Sequence, residues 1–127
     1  MREELVKLER LITVHNKIAD WHLENIAGLE ASIAACDQDV VNTHVAMEKL
    51  EGMRPGKGPN FSRILKEIKE RRAKLEKSAM AAKAEHARIS AIVEHLLAKQ
   101  AVLREENEQR SLEESIDEWS NAQASFS

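Results

Sequence analysis

Gly52, Gly56 and Lys57, in the segment LEGMRPGKGPNFSR (50–63), come within one position of a phosphate-binding loop. That loop needs Gly, four residues, then Gly-Lys-Ser/Thr, so that the lysine reaches the phosphates and the hydroxyl binds magnesium. Here three residues intervene, and Gly58 stands where the hydroxyl is required. The loop also sits between a buried strand and a helix, which makes backbone amides converge on the phosphates. No strand pattern precedes this segment. Its glycines permit unusual φ and its prolines stiffen the path, as in a hairpin turn.

The five histidines are the other residues whose type could carry chemistry. His15 and His22 are seven apart, and His86 and His95 nine apart. Neither spacing is the i,i+4 that lets two imidazoles of one helix bind one metal, and the single Cys36 is not adjacent. They read as core-edge histidines that hydrogen-bond a neighbour. No Ser/His/Asp set or pair of carboxylates stands out, and two helices offer no pocket to desolvate one. The expectation is a chain that is not an enzyme and takes no cofactor and no metal.

The elements that position these residues follow from composition and periodicity. A chain of 127 residues allows one domain, and 32% of it is charged, as in long exposed helices. Tyr is absent and β-branched, aromatic alternation is lacking, so strands have no support. The opening MREELVKLER is neither a signal nor a transit peptide, and no 18-residue apolar run exists to span a bilayer. One cysteine excludes a disulfide framework and suits a reducing cytoplasm.

A heptad of apolar positions runs from Leu5 to Leu50: Leu5, Ile12, Ala19, Ile26, Ile33, Val40 and Met47, alternating with Leu8, His15, His22, Leu29, Cys36, Thr43 and Leu50. A second series runs from Phe61 through Leu65, Ile68, Arg72, Leu75, Ala79, Ala82, His86 and Ile89 to Asn107. Gly52 supplies a stop for the first helix, and Pro59-Asn60 a start for the second. The expected fold is all-α: a long antiparallel two-helix coiled-coil hairpin with a short C-terminal helical extension. Its parts are a helix over 2–51, a turn over 52–60, a helix over 61–110 and a tail over 111–127, frayed past Ser120. Each arm of ~50 residues would be ~75 Å long. Matching the alanine-rich stretches ASIAAC (31–36) and SAMAAKA (78–84) predicts a register whose partners sum to about 115. It sets Cys36 against Ala79, His22 against Val93 and Thr43 against Arg72.

Charge is unevenly distributed. Residues 1–53 carry five basic and ten acidic side chains, 54–77 nine and three, and 78–127 five and nine. The turn and the helix start after it are therefore cationic, through Arg54, Lys57, Arg63, Lys66, Lys69 and Arg72 among others. Such a field steers docking to an acidic protein surface. Nucleic acid is a poorer fit, because only Phe61 could stack and the acidic arms would repel a backbone. Leu11, Val14, Ile18 and Trp21 line a face about a third of a turn from the seam, which points to a third helix or a homodimer partner. In the tail, Leu112, Ile116 and Trp119 keep one apolar face with acidic flanks. They could fold onto the Leu11–Trp21 stripe, dimerise or dock into a partner's groove.

A short, highly charged α-hairpin of this kind resembles the FliJ/YscO group of type III secretion and flagellar export proteins. The textual echo lies in FSRILKEIKERRAKLE after the turn and LREENEQRSLEESIDEW near the end. The resemblance implies a cytoplasmic stalk or adaptor without chemistry of its own, inserted into a hexameric export ATPase or touching an export-gate component. It carries no site residue over. A self-associating coiled-coil scaffold unrelated to secretion is the main rival, followed by a chaperone-like holder and a nucleic-acid-binding hairpin.

Overall fold

Asn60 starts the second helix by accepting, at its Oδ1, a hydrogen bond from the Arg63 N–H at 3.1 Å, which satisfies one of the amides a helix start leaves open. The computed structural model describes residues 2–51 and 58–126. Two helices account for nearly all of them: α1, Arg2–Lys49, and α2, Phe61–Phe126. The fold is all-helical, a two-helix hairpin, as periodicity predicts. At the end of α1, Leu50 N–H donates to the Ala46 carbonyl and Glu51 N–H to the Glu48 carbonyl, which tightens the last turn. The expected stop at Gly52 and the residues Arg54, Gly56 and Lys57 lie outside the described residues.

The C-terminal extension is helical, as expected, and is continuous with the second helix. α2 continues without a break from Phe61 to Phe126, through the boundary expected at 110 and past Ser120. Its residues there (Leu, Glu, Ser, Ile, Asp, Trp, Asn, Ala, Gln) contain no Gly or Pro to stop it.

The chain divides into two compact units, Met1–Ala19 with Arg88–Ser127, and Asp20–Ala87. In each, a segment of α1 packs antiparallel on a segment of α2. The buried residues all come from the expected seam: Leu8, Ile12 and Ile89 in the first unit, and Ile26, Cys36, Ile68, Ala79 and Ala82 in the second. Two residues expected in the seam are exposed, Met47 and Asn107.

The register is one heptad away from the expected one. A sum of about 115 and a sum of about 108 both keep the heptads in phase. Side chains lean toward the N-terminus of their own helix. In an antiparallel pair, flanking charges therefore converge when their numbers sum to slightly more than those of the seam layer. Glu30 with Lys83 and Glu9 with Arg104 sum to 113, and Asp39 with Arg71 to 110. These values lie above 108 and below 115. Arg72 reaches Asp37, the neighbour of Cys36, at 2.7 Å and a sum of 109, which places Arg72 rather than Ala79 nearest Cys36. At the other end, Leu103 is the last half-buried residue of α2 and Asn107 is exposed. That fits Leu103 opposite Leu5, whereas the wider register would set Asn107 against the buried Leu8.

The physical reason is packing. The expected register matched alanine with alanine, which leaves a void unless the backbones close in. The observed one sets Ala82 opposite Ile26 and Ala79 opposite Leu29, so that small faces large and the seam fills. It also places His22 and His86 in one layer, Thr43 opposite Leu65 instead of Arg72, and Val93 opposite His15.

Candidate functional site

Arg72 occupies a seam position yet carries a guanidinium, so it leaves the seam for the flank. Its Nε donates to Asp37 Oδ1 at 2.7 Å and its Nη1 to Glu76. The hydrogen bond from Arg72 holds the Asp37 carboxyl below the usual carboxylate range, against a smaller desolvation effect. The same bond raises Arg72 further above its ordinary value. Arg71 pairs with Asp39 at 3.8 Å, and Arg63 with Glu67 at 3.1 Å within α2.

These pairs divide the expected cationic surface. Arg63 and Arg72 are held by carboxylates of the chain itself, and Arg54 and Lys57 lie outside the described residues. Lys66 and Lys69 are exposed and form no ion pair among the described residues, and the same holds for Lys74 and Lys77. The free cationic face is therefore these four lysines, spread over the second to fifth turns of α2. α2 has no acidic residue in its first turn and no basic residue in its last. Helix-dipole stabilisation favours the opposite arrangement.

On the other side of α2 from these lysines, α1 and α2 leave an open groove of about 470 Å³ lined by Thr43, Ala46, Phe61, Ile64 and Ile68, with Arg71 and Asp39 among its other residues. Sequence reasoning missed it. The available signal was Thr43 in the seam and Ala46 near it, two small residues in the part of α1 that shares the groove with the larger Phe61 and Ile64.

The expected apolar surfaces are open. Leu11, Val14 and Ile18 are exposed in the first unit, as Trp21 is in the second, with its ring edge-on to His22 at 5.0 Å. Leu112, Ile116 and Trp119 are also exposed, Trp119 at 63%, and every described side chain from Arg104 onward is exposed. Ile92 is half-buried and Val102 exposed. Of the histidines, His15 shares a hydrogen bond of 2.7 Å between Nδ1 and the Leu11 carbonyl, so Nδ1 carries the proton. The His22 Nδ1 is buried without a partner. Among the described residues no three His, Cys, Asp or Glu side chains are grouped to hold a metal ion, and no helix is long and apolar enough to cross a membrane.

No protein-family model, curated protein or solved structure matches this chain.

Proposed function

We propose that this chain is a non-enzymatic coiled-coil stalk or adaptor that docks on an acidic surface of a partner protein through the first turns of α2. The observation that carries the reading is the set Lys66, Lys69, Lys74 and Lys77, exposed and unpaired among the described residues on one broad face of α2. A hairpin presents such a set on a stiff support, and exposed cations of one sign act mainly on association rate and specificity. The FliJ/YscO resemblance names the partner class as a hexameric export ATPase or an export-gate component in the cytoplasm.

The test is affinity capture from the source cells at low and at moderate salt, with wild type compared with a variant carrying Lys66→Glu, Lys69→Glu, Lys74→Glu and Lys77→Glu. Recovery of a ring ATPase or export-gate protein by wild type, lost in the variant while helicity is unchanged, supports the reading. Equal recovery by both chains removes the basic face from the docking.

A further inference from the structure

One arrangement of residues occurs twice in this chain with its charges inverted. Lys7, Arg10, Val14, Ile18 and Trp21 follow one another in α1 at steps of 3, 4, 4 and 3 residues. Glu105, Glu108, Leu112, Ile116 and Trp119 follow the same steps in α2, each 98 positions further along the sequence. Steps of three and four hold a series on one face of a helix. Each set is therefore a stripe with an apolar end that closes on tryptophan and a charged end, cationic in α1 and anionic in α2.

Both stripes are open. Their six apolar members are exposed, and so are the four charges, none of which forms an ion pair among the described residues. Lys7, Arg10, Val14 and Ile18 lie in the first unit together with the whole α2 stripe, and Trp21 follows on the same helix. The two stripes of one chain do not meet. With Leu103 opposite Leu5, the unbroken α2 carries its stripe past the start of α1, and every described side chain from Arg104 onward is exposed. The α2 stripe also turns away from the seam, because Leu112 lies nine residues after the half-buried Leu103, half a turn round the helix.

We infer that the α2 stripe of one copy docks in parallel on the α1 stripe of a second copy. Leu112 then meets Val14, Ile116 meets Ile18, Trp119 meets Trp21, and Glu105 meets Lys7. At one edge of the contact Glu113 falls between Arg10 and Lys17. At the other, Glu108 turns toward α2 of the receiving copy, where Lys99 is exposed. Glu113, Lys17 and Lys99 are likewise without an ion pair among the described residues.

Charge selects both the occupant and its direction. The steps read the same from either end, so an antiparallel contact is equally well spaced. It would set Lys7 against Trp119 and Glu105 against Trp21, and so desolvate charges without partners. Two α2 stripes side by side would gather carboxylates, and two α1 stripes cations, which like-charge repulsion opposes. The mixed parallel pair alone matches apolar with apolar and cation with anion. The contact joins two different patches, so it repeats from copy to copy unless the assembly closes. It uses none of Lys66, Lys69, Lys74 and Lys77, and stands independently of the docking proposed above.

Sedimentation velocity of the purified chain tests it. Wild type should associate as concentration rises, more strongly at low than at high salt. Reversal of the α1 stripe (Lys7→Glu, Arg10→Glu, Lys17→Glu) and reversal of the α2 stripe (Glu105→Lys, Glu108→Lys, Glu113→Lys) should each leave monomers. A chain that carries both reversals should associate again. Trp119→Ala, which removes a large apolar group without touching charge, should weaken association about tenfold or more. Circular dichroism of each variant separates loss of the contact from loss of the fold. A wild type that stays monomeric at all concentrations overturns the inference. So does association that survives either single reversal, or a correctly folded double reversal that stays monomeric. Loss of association on reversing Lys66, Lys69, Lys74 and Lys77 to Glu would place the contact on that face instead. That variant should self-associate as wild type does while failing to capture the partner of the proposed function, so the two readings fail separately.

Discussion

Arg72 and Asp37 are joined across the two helices, Nε to Oδ1 at 2.7 Å, beside the most buried residue of the seam, Cys36 at 2% exposure. Arg72 thus holds a position of the apolar series while its charged head stays at the flank. The seam gives up one apolar layer there. Surface pairs of this kind contribute little to stability, because both charges remain solvated. Arg72→Leu should therefore raise the thermal midpoint by a few degrees, since an apolar side chain fills the layer. A lower midpoint, followed by circular dichroism, would show that the ion pair outweighs the packing it displaces.

The same pair sets a pH dependence. Asp37 has a folded value held below the ordinary carboxylate value of about 3.9. Its contribution is fully present above that ordinary value and is lost as pH falls through the lowered folded one. The midpoint difference between wild type and Asp37→Asn should stay constant from pH 7 to about pH 5 and shrink toward zero near pH 2. A difference that persists undiminished in acid would mean that the carboxylate charge is not what Arg72 uses.

Gly28 lies in the interior of α1 with nothing within 4 Å of where a Cβ would stand. No close approach requires glycine. Gly28→Ala should stabilise the chain by about 0.5–1 kcal/mol in chemical denaturation, by removing backbone freedom from the unfolded state. The hydrogen bond that the Ser32 hydroxyl donates to the Gly28 carbonyl is retained. A neutral or destabilising result would point to a contact that the folded monomer does not contain.

At the start of α2, Asn60→Ala should cost about 1 kcal/mol, because the Arg63 amide loses its acceptor. Asn60→Asp should retain the cap and add a favourable charge at the helix N-terminus. Denaturant titrations of both variants check the pair of outcomes, and equal losses would contradict the capping role.

The helices were legible because heptad spacing, the Pro59-Asn60 start and the absence of strand patterns all point the same way. The buried set was equally legible, since Leu8, Ile12, Ile26, Cys36, Ile68, Ala79, Ala82 and Ile89 are all positions of the two apolar series. The register was not. Periodicity leaves it open by whole heptads, and alanine matched with alanine chose the wrong one, where complementary volume sets Ala82 against Ile26. The free cationic face was half legible. Counting cations found the basic start of α2, but only the fold separates Arg63 and Arg72, bound to Glu67 and Asp37, from Lys66 and Lys69, unpaired among the described residues. The continuation of α2 to Phe126 was legible from the lack of Gly and Pro after residue 110, a signal outweighed by the polar composition there.

Engineered disulfides test the register directly. A bridge requires Cα atoms within about 7 Å, so only residues of one seam layer can form it readily. Arg72→Cys places a second thiol across from Cys36, and mild oxidation should convert that chain to an intramolecular disulfide, seen as faster migration without reductant and protection of both thiols from alkylation. Ala79→Cys lies one heptad further along α2, about 10 Å by helical rise, and should keep both thiols free. Ala73→Cys, exposed on the outer side of α2, controls for random collision. Cross-linking of Ala79→Cys in preference to Arg72→Cys would restore the wider register. It would also move the groove beside Phe61 and Ile64, because Thr43 and Ala46 would then face residues further along α2.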